Sequence, residues 1–354
     1  MCERVCRTCS TVDLNYGFSD GQTQRQLNML TAFAIVQYSI LAICLALWSI
    51  RISAYRPLFG TQRREEFMLP RMQQVSPVGM VDIFVTVLLW FCLQSVGLIL
   101  VPLLMGISFE QLQDPESLSP RQLLEFSGWM ALLQLLSTFA AAAYLLIRHR
   151  RVGWLGSGKW LGNDVLLGIV SSLMLIPVVM LIQLVVTQLI PYTHPTLDSL
   201  TENFTGATAI WAWIAAVGVA PLAEEFFFRG LIQGWLQRAF DYDEPKAWFS
   251  GGVVEESTAR EFANGYFKQL QFWAPILITS IAFAGVHMGQ GPAPIPLFFL
   301  SIGIGYVFRK SGSLWPCVIV HMLLNSLSLT MLTLGVMYPE LMPADVEPAP
   351  ALVW

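Results

Sequence analysis

Residues 209–230 read AIWAWIAAVGVAPLAEEFFFRG, an apolar run with Glu224 and Glu225 embedded in it. Each charge at the middle of a bilayer costs about 2.5–3.5 kcal/mol on insertion scales, so two adjacent carboxylates need compensation. Arg229 lies four residues after Glu225, on the same helical face and in the favourable acid-then-base order. Glu224, turned by about 100° around the helix, is left to point elsewhere. Pro221 and Gly218 precede the pair by one to two turns. A proline there cannot donate to the carbonyl of Val217 and predicts a kink that opens space for water beside Glu224.

The rest of the chain repeats this apolar character. Of 354 residues, 55% are hydrophobic and 12% charged. Soluble domains carry about 25% charged residues, so half of the usual charge is missing. Apolar segments at roughly 29–50, 80–106, 128–147, 164–190, 207–232, 274–288, 296–308 and 314–338 predict an all-α, polytopic membrane protein with about eight transmembrane helices. The short connection holding Gly289, Gly291, Pro292 and Pro294 is expected to stop within the bilayer, covered by protein or wetted. No internal repeat is visible, which weighs against a transporter built on inverted halves.

Arginine and lysine alternate between connections. They gather at Arg51–Arg71, at Arg148–Lys159, at 229–268 and at Arg309-Lys310, and the intervening loops hold only Arg121. The pattern fits both termini outside, against the grain of Arg4, Arg7 and Arg25 in the first tail. It predicts an integral, multi-pass protein of the bacterial plasma membrane. A net charge of −4 without a basic run excludes nucleic acid as a partner class. The bilayer and a membrane-associated peptide or protein remain.

The chain divides into a polar tail at 1–28, four helices over 29–200, a core at 201–338 with a charged insertion at 238–272, and a flexible tail at 339–354. Residues 256–272 could lie on the membrane surface as an amphipathic helix. No cleaved signal peptide is expected at the start. Cys2, Cys6 and Cys9 have a cluster-binding spacing but no surrounding barrel, and no fourth ligand for zinc. They read as incidental thiols on a solvated tail. Asp82 opens the second apolar segment and reads as an interfacial charge.

Two histidines sit in apolar surroundings like those of the glutamates. His287 closes the sixth segment after Phe283, and His321 lies in the eighth with Asn325 one turn later on the same face. Ser313 is the expected N-cap of that last helix, with Pro316 in its first turn. At 1.5 Å rise per residue, His321, Glu224 and His287 all fall about 12–20 Å below the cytoplasmic face. Intramembrane ionisable groups are functional by default. A carboxylate, two histidines and an asparagine suit amide hydrolysis: the carboxylate as general base on water, imidazole and amide as donors to the oxyanion. A His2Glu zinc site of His287, His321 and Glu224 is a chemical alternative, although H-E-x-x-H is absent.

In order along the chain, Glu224-Glu225-x-x-x-Arg229, Phe283-x-x-x-His287 and His321-x-x-x-Asn325 resemble the motifs of the CAAX-protease and bacteriocin-processing (CPBP, or ABI) family. Gly303-x-Gly305-Tyr306 and Ser313-Leu314-Trp315-Pro316 resemble its penultimate helix and following turn. The resemblance covers about 205–330. It implies a glutamate-type intramembrane endopeptidase that needs no cofactor, with Glu224 and His287 acting on water and His321 and Asn325 forming the oxyanion hole. Glu225, Arg229 and Phe283 would be supporting residues. A non-catalytic scaffold or immunity protein on the same fold is the competing implication.

Overall fold

The computed structural model describes residues 31, 35–36, 38–50, 75–113, 117–150, 161–190, 206–262 and 264–338. The cysteines at 2, 6 and 9, the arginine-rich loop at 51–71, the Arg151–Lys159 stretch and both predicted tails lie outside them. The chain forms two units, Met1–Ala42 and Ile43–Trp354. In the first, the described residues are helical. In the second, the elements are residues 43–50 of α1 (Tyr38–Ile50), then α2 (Met80–Met105), α3 (Phe109–Gln113), α4 (Pro120–His149) and α5 (Leu161–Leu189). Next comes a long continuous helix from Gly206 to Asp241, here α6, followed by α7 (Pro245–Ser250), α8 (Gly265–Val286), α9 (Pro294–Ser311) and α10 (Trp315–Met337).

Among the described residues there is no strand, only a single bridge between Tyr242 and Ala259. The protein is an all-α, polytopic membrane protein. Six helices are long and apolar enough to cross a bilayer: α2, α4, α5, α6, α8 and α10. The expectation of eight is therefore not met in full. The described part of the first segment is the shorter apolar helix Tyr38–Ile50. The seventh, α9, has 18 residues, and Pro294, Pro296, Arg309 and Lys310 dilute its apolar run.

The core lies where α5, α6, α8, α9 and α10 meet, around Phe228, Leu231, Phe283, Leu300, Ile304 and Leu324. Lipid is as apolar as these side chains, so close packing holds such helices together. Gly303 on α9 illustrates it: a Cβ there would stand 2.5 Å from the Leu175 side chain of α5. By contrast α2, paired with α4, keeps most of its surface outward; Phe84, Phe91, Ile99 and Leu103 are exposed, as suits helices bathed in lipid.

Asp82 is not the interfacial charge its position suggested. It is fully buried, bonded by Arg148 Nε at 2.6 Å, Tyr144 Oη at 3.1 Å and the Gly79 amide at 2.9 Å, with His149 Nε2 at 2.9 Å. The three side-chain partners ride on the last turns of α4, out of sequence reach of Asp82. Gly251, at φ +74°, closes over the same carboxylate; a Cβ there would meet Asp82 Oδ2 at 2.5 Å. The knot thus joins α2, α4 and the turn after α7. Removing one partner of a buried charged cluster strands the others. Asp82→Ala is expected to destabilise the protein by about 3 kcal/mol, read as a lowered thermal unfolding midpoint in detergent.

Two local expectations fail. The insertion does not form a surface helix over 256–272: Glu256–Thr258 is a 3-10 turn, and α8 starts at Gly265 and runs unbroken into the membrane segment. The Asn264 side chain caps that start, accepting from the Tyr266 amide at 2.9 Å. Within the insertion, the Glu255 amide and the Thr258 hydroxyl donate to the Glu244 carboxylate at 3.0 and 2.8 Å, which holds that carboxyl below its ordinary range. Nor does Ser313 cap α10. Its hydroxyl donates to Asp164 Oδ2 at 2.7 Å, tying the α9–α10 turn to the first turn of α5, and Leu314 occupies the cap position. Pro316 sits in the first turn as expected.

Candidate active site

Helix α6 places the glutamates by changing its winding twice. Trp213–Val219 and Phe226–Gln233 are π-helical, and the six-residue stretch Ala220–Glu225 between them is α-helical. Such wide turns inside α-helices recur at functional sites. In the first, the Ala220 amide reaches back five residues to the Ala215 carbonyl. In that register Pro221, lacking an N–H, deserts the carbonyl of Ala216 rather than that of Val217. Asn325 supplies the missing donor: its Nδ2 bonds Ala216 O at 2.7 Å. The carbonyl that Pro221 leaves without a donor is thus that of Ala216, not the expected Val217, and a side chain from α10 bonds it.

Glu225 and Arg229 form the expected i,i+4 pair, Nε to Oε2 at 3.0 Å, with both side chains fully buried. The second carboxylate oxygen faces His321 Nδ1 at 3.0 Å. Since a carboxylate only accepts, Nδ1 carries the proton. Arg229 Nη2 also donates to Ser301 Oγ on α9 at 2.9 Å, and its guanidinium lies 5.4 Å from the centroid of the Phe283 ring. Phe283 is 1% exposed and packs edge-on against Phe228 and His321. Four helices therefore converge on one buried ion pair: α6, α8, α9 and α10.

Glu224 faces the other way. It stands 4.0 Å, Oε2 to Nε2, from His287, which closes α8 as its C-cap residue. Nδ1 of His287 is 2.6 Å from the Phe283 carbonyl, an acceptor, so this nitrogen donates and Nε2 is the lone-pair side. Two acceptors 4.0 Å apart do not bond each other, but one water can donate a hydrogen to each. Glu224 Oε2 is buried with no protein partner among the described residues. It lines a cavity of about 330 Å³ whose other wall is α2 and α4, including Thr86, Trp90, Gln134 and Thr138.

The sequence-predicted set is thus gathered but divided. Glu224 and His287 face each other, whereas Glu225, Arg229, Phe283 and Nδ1 of His321 are engaged with one another, leaving His321 Nε2 without a partner among the described residues. Asn325 is engaged with the backbone of α6. Of the set only Glu224 lines the cavity. Among the described residues no three histidine, cysteine or carboxylate side chains are grouped so that they could hold a metal ion. Sequence reading missed Ser301, two residues before the Gly303-x-Gly305 stretch. It also missed the cavity wall from α2 and α4, where no motif marks Thr86 or Gln134.

Residues 206–250 and 246–327 match the family model for type II CAAX prenyl endopeptidase Rce1-like proteins. Comparison with curated proteins and with solved structures found no match. The match spans α6 to α10, the helices that hold the paired glutamates, both histidines and Asn325, and it leaves α2 to α5 outside. Through this region, and over no more of the chain, it is similar to the CAAX-protease and bacteriocin-processing family, a family of membrane proteases.

Proposed function

We propose that the chain is an intramembrane endopeptidase that hydrolyses a peptide bond of a membrane-associated substrate, CAAX-type or bacteriocin-like, in the bacterial plasma membrane. The site is reached from the cytoplasmic side, where the basic loops gather. The observation that carries this reading is the Glu224 carboxylate, which lines the cavity and keeps one buried oxygen without a partner, 4.0 Å from His287 Nε2.

A water held between these two acceptors presents its lone pair to a substrate carbonyl carbon. Glu224 removes one of its protons as the carbon–oxygen bond forms, and passes that proton to the departing amine nitrogen as the carbon–nitrogen bond breaks. The Nδ1–H bond to Phe283 O fixes the tautomer of His287, so its Nε2 orients the water rather than competing for the oxyanion. The negative charge on the carbonyl oxygen is met by a hydrogen on Nε2 of His321 and by the second amide hydrogen of Asn325. No cofactor takes part in these steps.

The test compares membranes of cells carrying the intact chain with membranes of cells carrying Glu224→Gln, by mass spectrometry of the released peptides. New peptide termini only with the intact chain are expected. Identical termini in both would remove the proteolytic reading and leave a scaffold.

A further inference from the structure

We infer that α2 and α4, outside the region that matches the protease family, supply the substrate-gripping wall of the site, and that Thr86 is a specificity-determining residue that bonds the substrate's peptide backbone. The inference rests on the proteolytic reading of Glu224 and assigns the opposite side of the same cavity.

Hydroxyls on membrane helices usually satisfy themselves by bonding a carbonyl one turn back. On α4, Ser137 and Thr138 do so, to Leu133 O at 2.8 Å and Gln134 O at 2.9 Å. Thr86 does not. Its side chain is buried, 3% exposed, and its Oγ1 has no partner among the described residues. One turn earlier on the same helix, Asp82 is bonded on every side. An unpaired buried hydroxyl is unfavourable unless a ligand completes it. Thr86 lines the cavity that Glu224 lines, so two residues with an unpaired buried oxygen border one space, on different helices.

The space of about 330 Å³ falls at the lower end of ligand pockets. Its remaining surface is largely apolar, with Phe227 inside and the exposed side chains of Trp90 and Val286 at the rim. That chemistry selects the occupant. A hydrocarbon chain would leave the Thr86 hydroxyl unpaired. An extended peptide with apolar side chains offers a carbonyl to Thr86 and a neighbouring amide to the half-buried Gln134, while the bond to be cut lies at Glu224.

The test uses the full chain carrying Glu224→Gln in detergent micelles, where bound peptide survives. A synthetic library of acetylated, apolar nonapeptides is passed over immobilised protein, and the retained peptides are titrated. Adding Thr86→Val is expected to weaken their binding about tenfold, the worth of one hydrogen bond in a dry pocket. Thr86→Ser should bind as before. The thermal midpoint of the valine variant should be unchanged or raised, since no protein bond is lost. Gln134→Leu, on the other helix, should also weaken binding. Unchanged affinity in Thr86→Val would overturn the inference, as would retention of no peptide or displacement of the peptides by 1-pentadecanol. Cleavage of the retained peptides by the chain with Glu224 intact is read separately. Peptides bound through Thr86 but never cleaved would sink the proteolytic reading alone, and peptides cleaved with no dependence on Thr86 would sink the wall alone.

Discussion

Glu224→Gln is expected to lower the rate of peptide cleavage by about 100- to 10,000-fold, the usual contribution of a positioned general base, with little change in stability. Glutamine has nearly the same shape and still accepts a hydrogen bond from water, but it cannot remove a proton. The stability half of the expectation comes from the pairing around it. Glu224 Oε2 has no protein partner among the described residues, and the histidine nitrogen facing it is 4.0 Å away. Neutralising this side chain breaks no ion pair, whereas leaving it charged opposes burial. Turnover in detergent against a peptide from the cleavage comparison, read beside the thermal midpoint, checks both. A fall in midpoint matching the fall in rate would mean that Glu224 holds the fold, and would return the site to a structural role.

Arg229→Met should behave in the opposite way. Arg229 is fully buried and bonded to both Glu225 and Ser301. Methionine fills much of its volume but leaves the Glu225 carboxylate with His321 as its one remaining side-chain partner among the described residues. Breaking a buried pair by removing one member typically destabilises by about 3–5 kcal/mol. That exceeds any other substitution considered for this protein, so the unfolding midpoint should drop sharply and activity with it. The double variant Glu225→Gln with Arg229→Met removes the stranded charge and should recover much of the loss. A double variant as unstable as the single one would show that the guanidinium acts through its packing on Phe283 rather than through the ion pair.

Much of this was legible in the sequence, because membrane helices advertise themselves by what they lack. The long apolar runs, poor in charge, located α2, α4, α5, α6, α8 and α10, and the i,i+4 spacing of Glu225 and Arg229 foretold their pairing. Contacts across helices were another matter. That His321 pairs with Glu225 rather than facing Glu224 depends on how α10 is rotated against α6, and no local spacing records that rotation. The same holds for Asp82, whose partners lie 62 to 67 residues further along. The count of spans faltered at α9, where helix length and apolarity part company. Thr86 carried no sequence signal at all, since an isolated threonine in an apolar helix is ordinary until its hydroxyl is seen to lack a partner.

The two wide turns of α6 have a consequence for how this helix tolerates change in length. A π-turn accommodates about one residue more than the α-turn it replaces, so each behaves as an insertion absorbed in place, leaving the later turns undisturbed. Deleting one residue from Trp213–Val219 would therefore return that stretch to ordinary winding and leave Glu224 aimed as before. A second deletion there would find no extra residue to absorb it, swing everything beyond by about 100° and turn Glu224 from the cavity. In this sense α6 is a buffer against changes in its own length as well as a scaffold.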